Sequence, residues 1–218
     1  MRFGPVPLDE AEGAMLAHSV RLPAGKLPKG RVLAAEDVAA LRDAGTERVI
    51  VARLDPGDRG ENEAAEALAR ALVPDAAAAG LRLTAPFTGR VNLIAEHPGV
   101  VVMDEARLTA VNRVDPMITL ATVPPFQQMA AGGMVGTVKI ISYGVPGDRL
   151  SAACEAGRGA IRLARPALSR AALVVSEIPG GAGEKGVPAV RGRLDALGIS
   201  MGAPVTVPHE TGAISRAV

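Results

Sequence analysis

Apolar and polar positions set out the elements of this chain in order. In "AAEDVAALRDAG", Val38 and Leu41 share one helical face, acidic residues fill the first turn and Gly45 supplies a stop. Ahead of this helix, "AMLAHSVRL" and "PAGKLPKGRVL" predict two short strands joined by a Gly- and Pro-marked turn. "ERVIVARL" predicts a strand, and the polar turn "DPGDRGEN" leads into the helix "EAAEALARALV". From residue 81 the pattern becomes strand and turn, as in "LRLTAPFTGRVNLIAEHPGVVVMD". A short helix "EARLTAVNRV", a strand "ITLATV" and a long strand "GGMVGTVKIISYGV" with glycines at its bends follow. "DRLSAACEAGRGAIRLA" predicts one helix from Asp148 to Ala164, closed by Arg165-Pro166.

Beyond Arg170 the order is strand "AALVVSE", glycine loop, helix "VPAVRGRLDALG", strand "APVTVPHE", then "TGAISRAV". Strands alternating with helices indicate a parallel sheet. The predicted class is α/β: a mixed α+β leader domain over residues 1–165, followed by a partial doubly wound parallel α/β unit over 166–218. Within the leader the pattern separates subunits of about 1–80 and 81–146, with the helix 148–164 connecting them to the terminal unit. In parallel sheets ligands sit at the carboxyl ends of the strands. The loop Glu177 to Gly186 and the segment Val207 to Thr211 are therefore expected to border one cleft. Two parallel strands cannot cover both faces of a sheet. That favours a shortened product, with dimerisation through strand edges as the next reading.

Composition narrows the function classes. With 218 residues, 48% apolar and 22% charged, the chain has the make-up of one or two globular domains. A formal net charge of +1 and 2% aromatics argue against nucleic-acid binding, which needs a basic field and stacking platforms. No run of about 20 apolar residues predicts a membrane span, and the first residues lack a signal-peptide core, so a cytoplasmic location is expected. The single cysteine, Cys154, falls in a helical pattern and reads as a small buried thiol.

The glycine loop is the first candidate for chemistry. A P-loop needs Lys directly after its last glycine, then Ser or Thr; here Lys185 precedes Gly186, so that motif is absent. Gly181, Gly183 and Gly186 match GxGxxG, the fingerprint of an NAD(P)-type dinucleotide-binding module, with Glu210 as the acidic residue downstream. The intervening "SEIPG" makes the loop longer than that fingerprint requires.

The full order of segments resembles a bacterial family of molybdopterin-binding proteins of molybdenum-cofactor biosynthesis. The stretches that carry the likeness are "FGPVPLDEAEGAMLAHSVRL", "LPKGRVLAAEDVAALRDAG", "VIVARLDPGDRGENEAA", "FTGRVNLIAE", "VNRVDPMITLATVPPF", "GMVGTVKII" and "GEKGVPAVRGRLDALG". The resemblance implies a leader domain before a molybdopterin-binding domain, binding of molybdopterin through its phosphate and pterin, and a role in cofactor biosynthesis or delivery. Related enzymes are molybdopterin nucleotidyl- or molybdotransferases that use Mg²⁺ with ATP or CTP. This chain lacks the later Thr-Gly-Gly type loop, and "EIPGGAG" lacks their Ser/Thr-Gly-Asp character. The expectation is a ligand-binding protein without complete catalytic machinery, its activity as an enzyme left open.

The expected ligand contacts are Gly181, Gly183, Lys185 and Gly186, with Glu184 also a candidate for a metal. His209 and Glu210, at a strand end, are placed in the same cleft. In the leader, Arg90 is suited to fork onto a phosphate and Asn92 to read the amide edge of a pterin. Lys139 lies in an apolar strand, a costly place unless its ammonium reaches water or an anion. The partners implied are a small pterin ligand, with a second copy or a molybdoenzyme as a protein partner. A non-enzymatic assembly module for a molybdoenzyme is the reading from another class.

Overall fold

The computed structural model describes residues 1–181 and 183–218, with Glu184 described by its backbone alone. The chain opens with β1 (Arg2–Pro7), β2 (Met15–Leu16), β3 (Val20–Leu22) and β4 (Gly25–Leu27), then α1 (Ala35–Asp43) and β5 (Arg48–Arg53). Strands β1 and β2 flank β5, and α1 places Val38 and Leu41 on a small core with Leu8, Leu16, Leu33, Val49 and Val51. Gly45, at φ +76°, ends α1 as its left-handed conformation permits.

A second, larger core begins with β6 (Asp58–Gly60) and α2 (Glu61–Leu72). It continues through β7 (Leu81–Leu83), β8 (Arg90–Ala95), β9 (Gly99–Met103), α3 (Glu105–Val114), β10 (Ile118–Thr122) and β11 (Gln128–Met129). β12 (Met134–Ile140), β13 (Gly144–Pro146), α4 (Gly147–Gly157) and β14 (Ile161–Ala164) complete it. An antiparallel sheet in the order β10-β12-β8-β7 lays Val91, Leu93, Ala95, Val138 and Ile140 against α2 and α3. The opposite face carries Arg90, Asn92, Thr137, Lys139 and Thr119 together with Ile94, Ala121 and Met134. Helix α2, grouped by the sequence pattern with residues 1–80, packs in this second core through Ala64, Ala65, Leu68, Ala69 and Leu72.

The predicted helix 148–164 is corrected. Helix α4 ends at Gly157, Gly159 turns the chain at φ +66°, and Ile161–Ala164 form a strand antiparallel to β9. Ile161 and Leu163 point inward and Arg162 outward, a period of two that belongs to a strand.

Both ends of the four-stranded sheet are shaped. At the β10 edge the Asn112 carboxamide takes the place of a neighbouring strand: its Nδ2 donates to Leu120 O at 2.9 Å and its Oδ1 accepts from Leu120 N at 2.8 Å. Strands β7 and β8 meet in a two-residue turn at Thr88 (φ +46°) and Gly89 (φ +69°), closed by reciprocal 3.0 Å bonds between Phe87 and Arg90. Positive φ at both central residues is the turn geometry that suits the strand twist of a hairpin. The two cores are tied by Tyr143, whose hydroxyl donates to Ala17 O at 2.6 Å and whose ring stacks on Phe3 at 6.2 Å between centroids.

The terminal unit comprises β15 (Arg170–Ala171), β16 (Val174–Glu177), α5 (Val187–Asp195), β17 (Ser200–Met201), β18 (Val205–Pro208) and α6 (Thr211–Ala217). β15 pairs in parallel with β17, and β16 with β18, as two segments of one ribbon. The chain is thus of mixed α and β class with a parallel strand pair at its end. Helices α5 and α6 bury none of their residues, and Met201 is the one buried side chain after Ala164 among those described. Among the described residues no helix is long and apolar enough to cross a membrane.

Candidate functional site

The parallel pair brings the carboxyl ends of β16 and β18 side by side, with Glu177 opposite Pro208. His209 N donates to Glu177 O at 2.9 Å, so the chain stays in register one residue past the strand. Side chains then alternate: Ser176 reaches across, and its Oγ lies 2.9 Å from His209 Nδ1. If Ser176 donates, the imidazole carries its proton on Nε2; if Nδ1 donates, the serine hydroxyl hydrogen is left over. Either arrangement leaves the pair one donor to offer. Glu177 and Glu210 flank it, both exposed.

The glycine loop runs from β16 into a short 3-10 turn at Gly183–Gly186 and then into α5, capped by Gly186. Glu177 Oε1 lies 3.3 Å from where a Cβ on Gly183 would sit, so the carboxylate faces the loop. Gly183 itself has φ +57°. Lys185, Gly181 and Gly186 are exposed along this edge. The first glycine of the GxGxxG spacing stands four positions beyond the end of β16, with the 3-10 turn before the helix. In a dinucleotide site that glycine leaves the strand directly. The side chain of Glu184, expected as a ligand and metal contact, lies outside the described residues. Among the described residues no three His, Cys, Asp or Glu side chains gather as a metal site.

Arg90, Asn92 and Lys139 are brought together elsewhere. Antiparallel register sets Arg90 opposite Lys139 and Asn92 opposite Thr137, all on one face of the sheet. The Lys139 ammonium donates to Thr88 O at the hairpin turn, which answers the cost of a lysine in an apolar strand. Arg90 Nη1 lies 3.4 Å from Thr137 Oγ1, and Asn92 Oδ1 is buried without a donor. These three residues stand on β8 and β12, and the glycine loop lies between β16 and α5. The tail meets the leader where Gln128 Nε2 donates to Arg193 O, and around a hollow of about 310 Å³ lined by His97, Pro98 and Leu197. His97 lies beyond the far end of β8 from Arg90, roughly 20 Å along the strand at about 3.3 Å per residue.

His97 is buried, with Nδ1 2.8 Å from Pro98 O, and His18 is exposed. Partial burial pushes the Cys154 thiol up from its ordinary value, the opposite of what a nucleophile needs. Ser176 and Thr137 were not legible as site residues; alternation along β16 and β12 was the one available signal.

A family model described as a domain of unknown function (DUF8806) matches residues 5–53, which is the span of the first small core. No curated protein and no solved structure matches the chain.

Proposed function

We propose that this chain binds molybdopterin, a pterin that carries a phosphate, at the carboxyl ends of β16 and β18, and serves molybdenum-cofactor biosynthesis or delivery. The observation that carries the reading is the pairing of Ser176 with His209 at the mouth of a parallel strand pair, beside the glycine loop and Lys185. Lys185 and the free donor of the Ser176–His209 pair suit phosphate oxygens. The Glu177 carboxylate facing the loop suits the amino and ring N–H donors of a pterin.

The experiment is purification of the full chain from a molybdopterin-producing host, followed by oxidation and measurement of pterin fluorescence in the released fraction. A near-stoichiometric fluorescent pterin supports the reading, and Lys185→Ala lowers the yield. Tight NAD(P) in its place, with no pterin, replaces it by the dinucleotide reading. An assembly role for a molybdoenzyme is favoured by Phe126, 75% exposed on a left-handed backbone (φ +60°). Loss of molybdoenzyme capture by Phe126→Ser in the full chain is its test.

A further inference from the structure

The Arg90 face of the four-stranded sheet carries an arrangement that the tail site does not use. Residues opposite one another in an antiparallel sheet point to the same face. The register therefore sets Arg90, Lys139 and Thr119 in one row across β8, β12 and β10, with Phe87 joined to Arg90 by an isolated bridge. In the next row stand Thr84, Asn92 and Thr137.

Three features of this face need a ligand to make sense together. Arg90 and Lys139 are like charges directly opposite, an unfavourable pairing, and neither is in an ion pair among the described residues. Glu61 packs against Gly89 at the turn and reaches neither of them as an ion pair. Phe87 is 76% exposed, at the base of a turn held by two backbone bonds and by the Lys139 ammonium on Thr88 O. Finally, the Asn92 carboxamide keeps Oδ1 buried and without a donor, and no hydrogen bond of its Nδ2 is found among the described residues, so the amide has donors to offer.

We infer that this face is a second small-molecule site, for a phosphate-bearing planar heterocycle. The ring stacks on Phe87, Arg90 and Lys139 hold the phosphate, and Asn92 Nδ2 donates to a ring carbonyl or phosphate oxygen. A free pterin phosphate and a mononucleotide share this chemistry. The site stands about 20 Å along β8 from where the tail meets the leader, so it holds whether or not the tail binds a pterin.

The test is calorimetric titration of the full chain with adenosine 5′-monophosphate, and separately with neopterin monophosphate, adenosine and inorganic phosphate. Saturable binding of at least one of the two phosphorylated heterocycles is expected, with adenosine and phosphate alone each at least tenfold weaker. Phe87→Ala weakens it by about tenfold, within the range that stacking of one ring contributes, and Phe87→Tyr restores it. Arg90→Ala weakens it at least tenfold. Phe87 is exposed, so Phe87→Ala keeps the fold and its melting curve. No saturable binding of either compound, an unchanged affinity in Phe87→Ala and Arg90→Ala, or much tighter binding of a single-stranded oligonucleotide would overturn the inference.

Discussion

Replacing Asn112 by alanine removes the side chain that closes the β10 edge of the central sheet. Both polar groups of Leu120, a residue 7% exposed, lose their partners at once. A typical hydrogen bond contributes about 1 kcal/mol net, and a buried group left unmet costs about 1–3 kcal/mol. Alanine returns roughly 0.5 kcal/mol through its higher helix propensity in α3. The net loss is therefore about 2–3 kcal/mol. With a urea slope of about 2–3 kcal/mol/M, the unfolding midpoint falls by roughly 1 M, read by far-UV circular dichroism. Asn112→Asp keeps the acceptor for Leu120 N but sets a carboxylate against Leu120 O, and loses at least as much. The opened edge also presents unpaired strand groups, so light scattering should show association that rises with concentration. A loss below about 0.5 kcal/mol in Asn112→Ala, with no association, would refute the view that this amide seals the sheet.

Other expectations follow from single contacts. Gly80→Ala sets a Cβ into the His97 ring at Nε2, at a backbone φ of +68°, and should destabilise by about 2–4 kcal/mol in a thermal melt; a loss under about 1 kcal/mol would contradict this packing. Tyr143→Phe leaves Ala17 O without its donor and should cost about 1–2 kcal/mol in the same urea assay, whereas an unchanged midpoint would show that this bond does not tie the two cores. The Arg31 hydrogen bond holds the Asp37 carboxyl below its ordinary value of 3.8, against its own desolvation, with Ala34 N–H helping. Its folded pKa is depressed, so its stabilisation is present above about pH 4 and is lost as pH falls through the folded value. The wild type should exceed Asp37→Asn in urea midpoint at pH 7 and converge with it near pH 2; an equal gap at both pH values would contradict the pairing.

Local pattern foretold the elements whose burial is one-sided. Helices α1, α2 and α3 and strands β5 and β10 lie where apolar spacing of 3.6 or 2 is uninterrupted, and β12 keeps its alternation past an irregularity at Met134–Gly136. Strand β14 was hidden because the apolar residues from Ala153 to Leu163 also suit a helix, although Gly157 and Gly159 break the run. The decisive signal was Gly159, which a left-handed residue requires and a helix does not. In the terminal unit, strand, loop, helix and strand were legible, and with them the closeness of Glu177 and His209. Ser176 was not, because its role follows from which way alternate side chains face at the end of a parallel pair. Arg90, Asn92 and Lys139 were each chosen for their chemistry, but their common face depends on the register between strands more than 40 residues apart in sequence. Phe87 stood beside the Thr-Gly turn signal, yet its exposure depends on that hairpin standing clear of the core.

Hydrogen–deuterium exchange of the full chain, with and without a saturating oxidised pterin phosphate, locates the ligand that the tail is held to bind. Slowed exchange over residues 177–181 and 183–190 and at His209 is the predicted result, with Lys185→Ala reducing it. Protection confined to residues 81–141, or none at any amide, would contradict pterin binding at the carboxyl ends of β16 and β18.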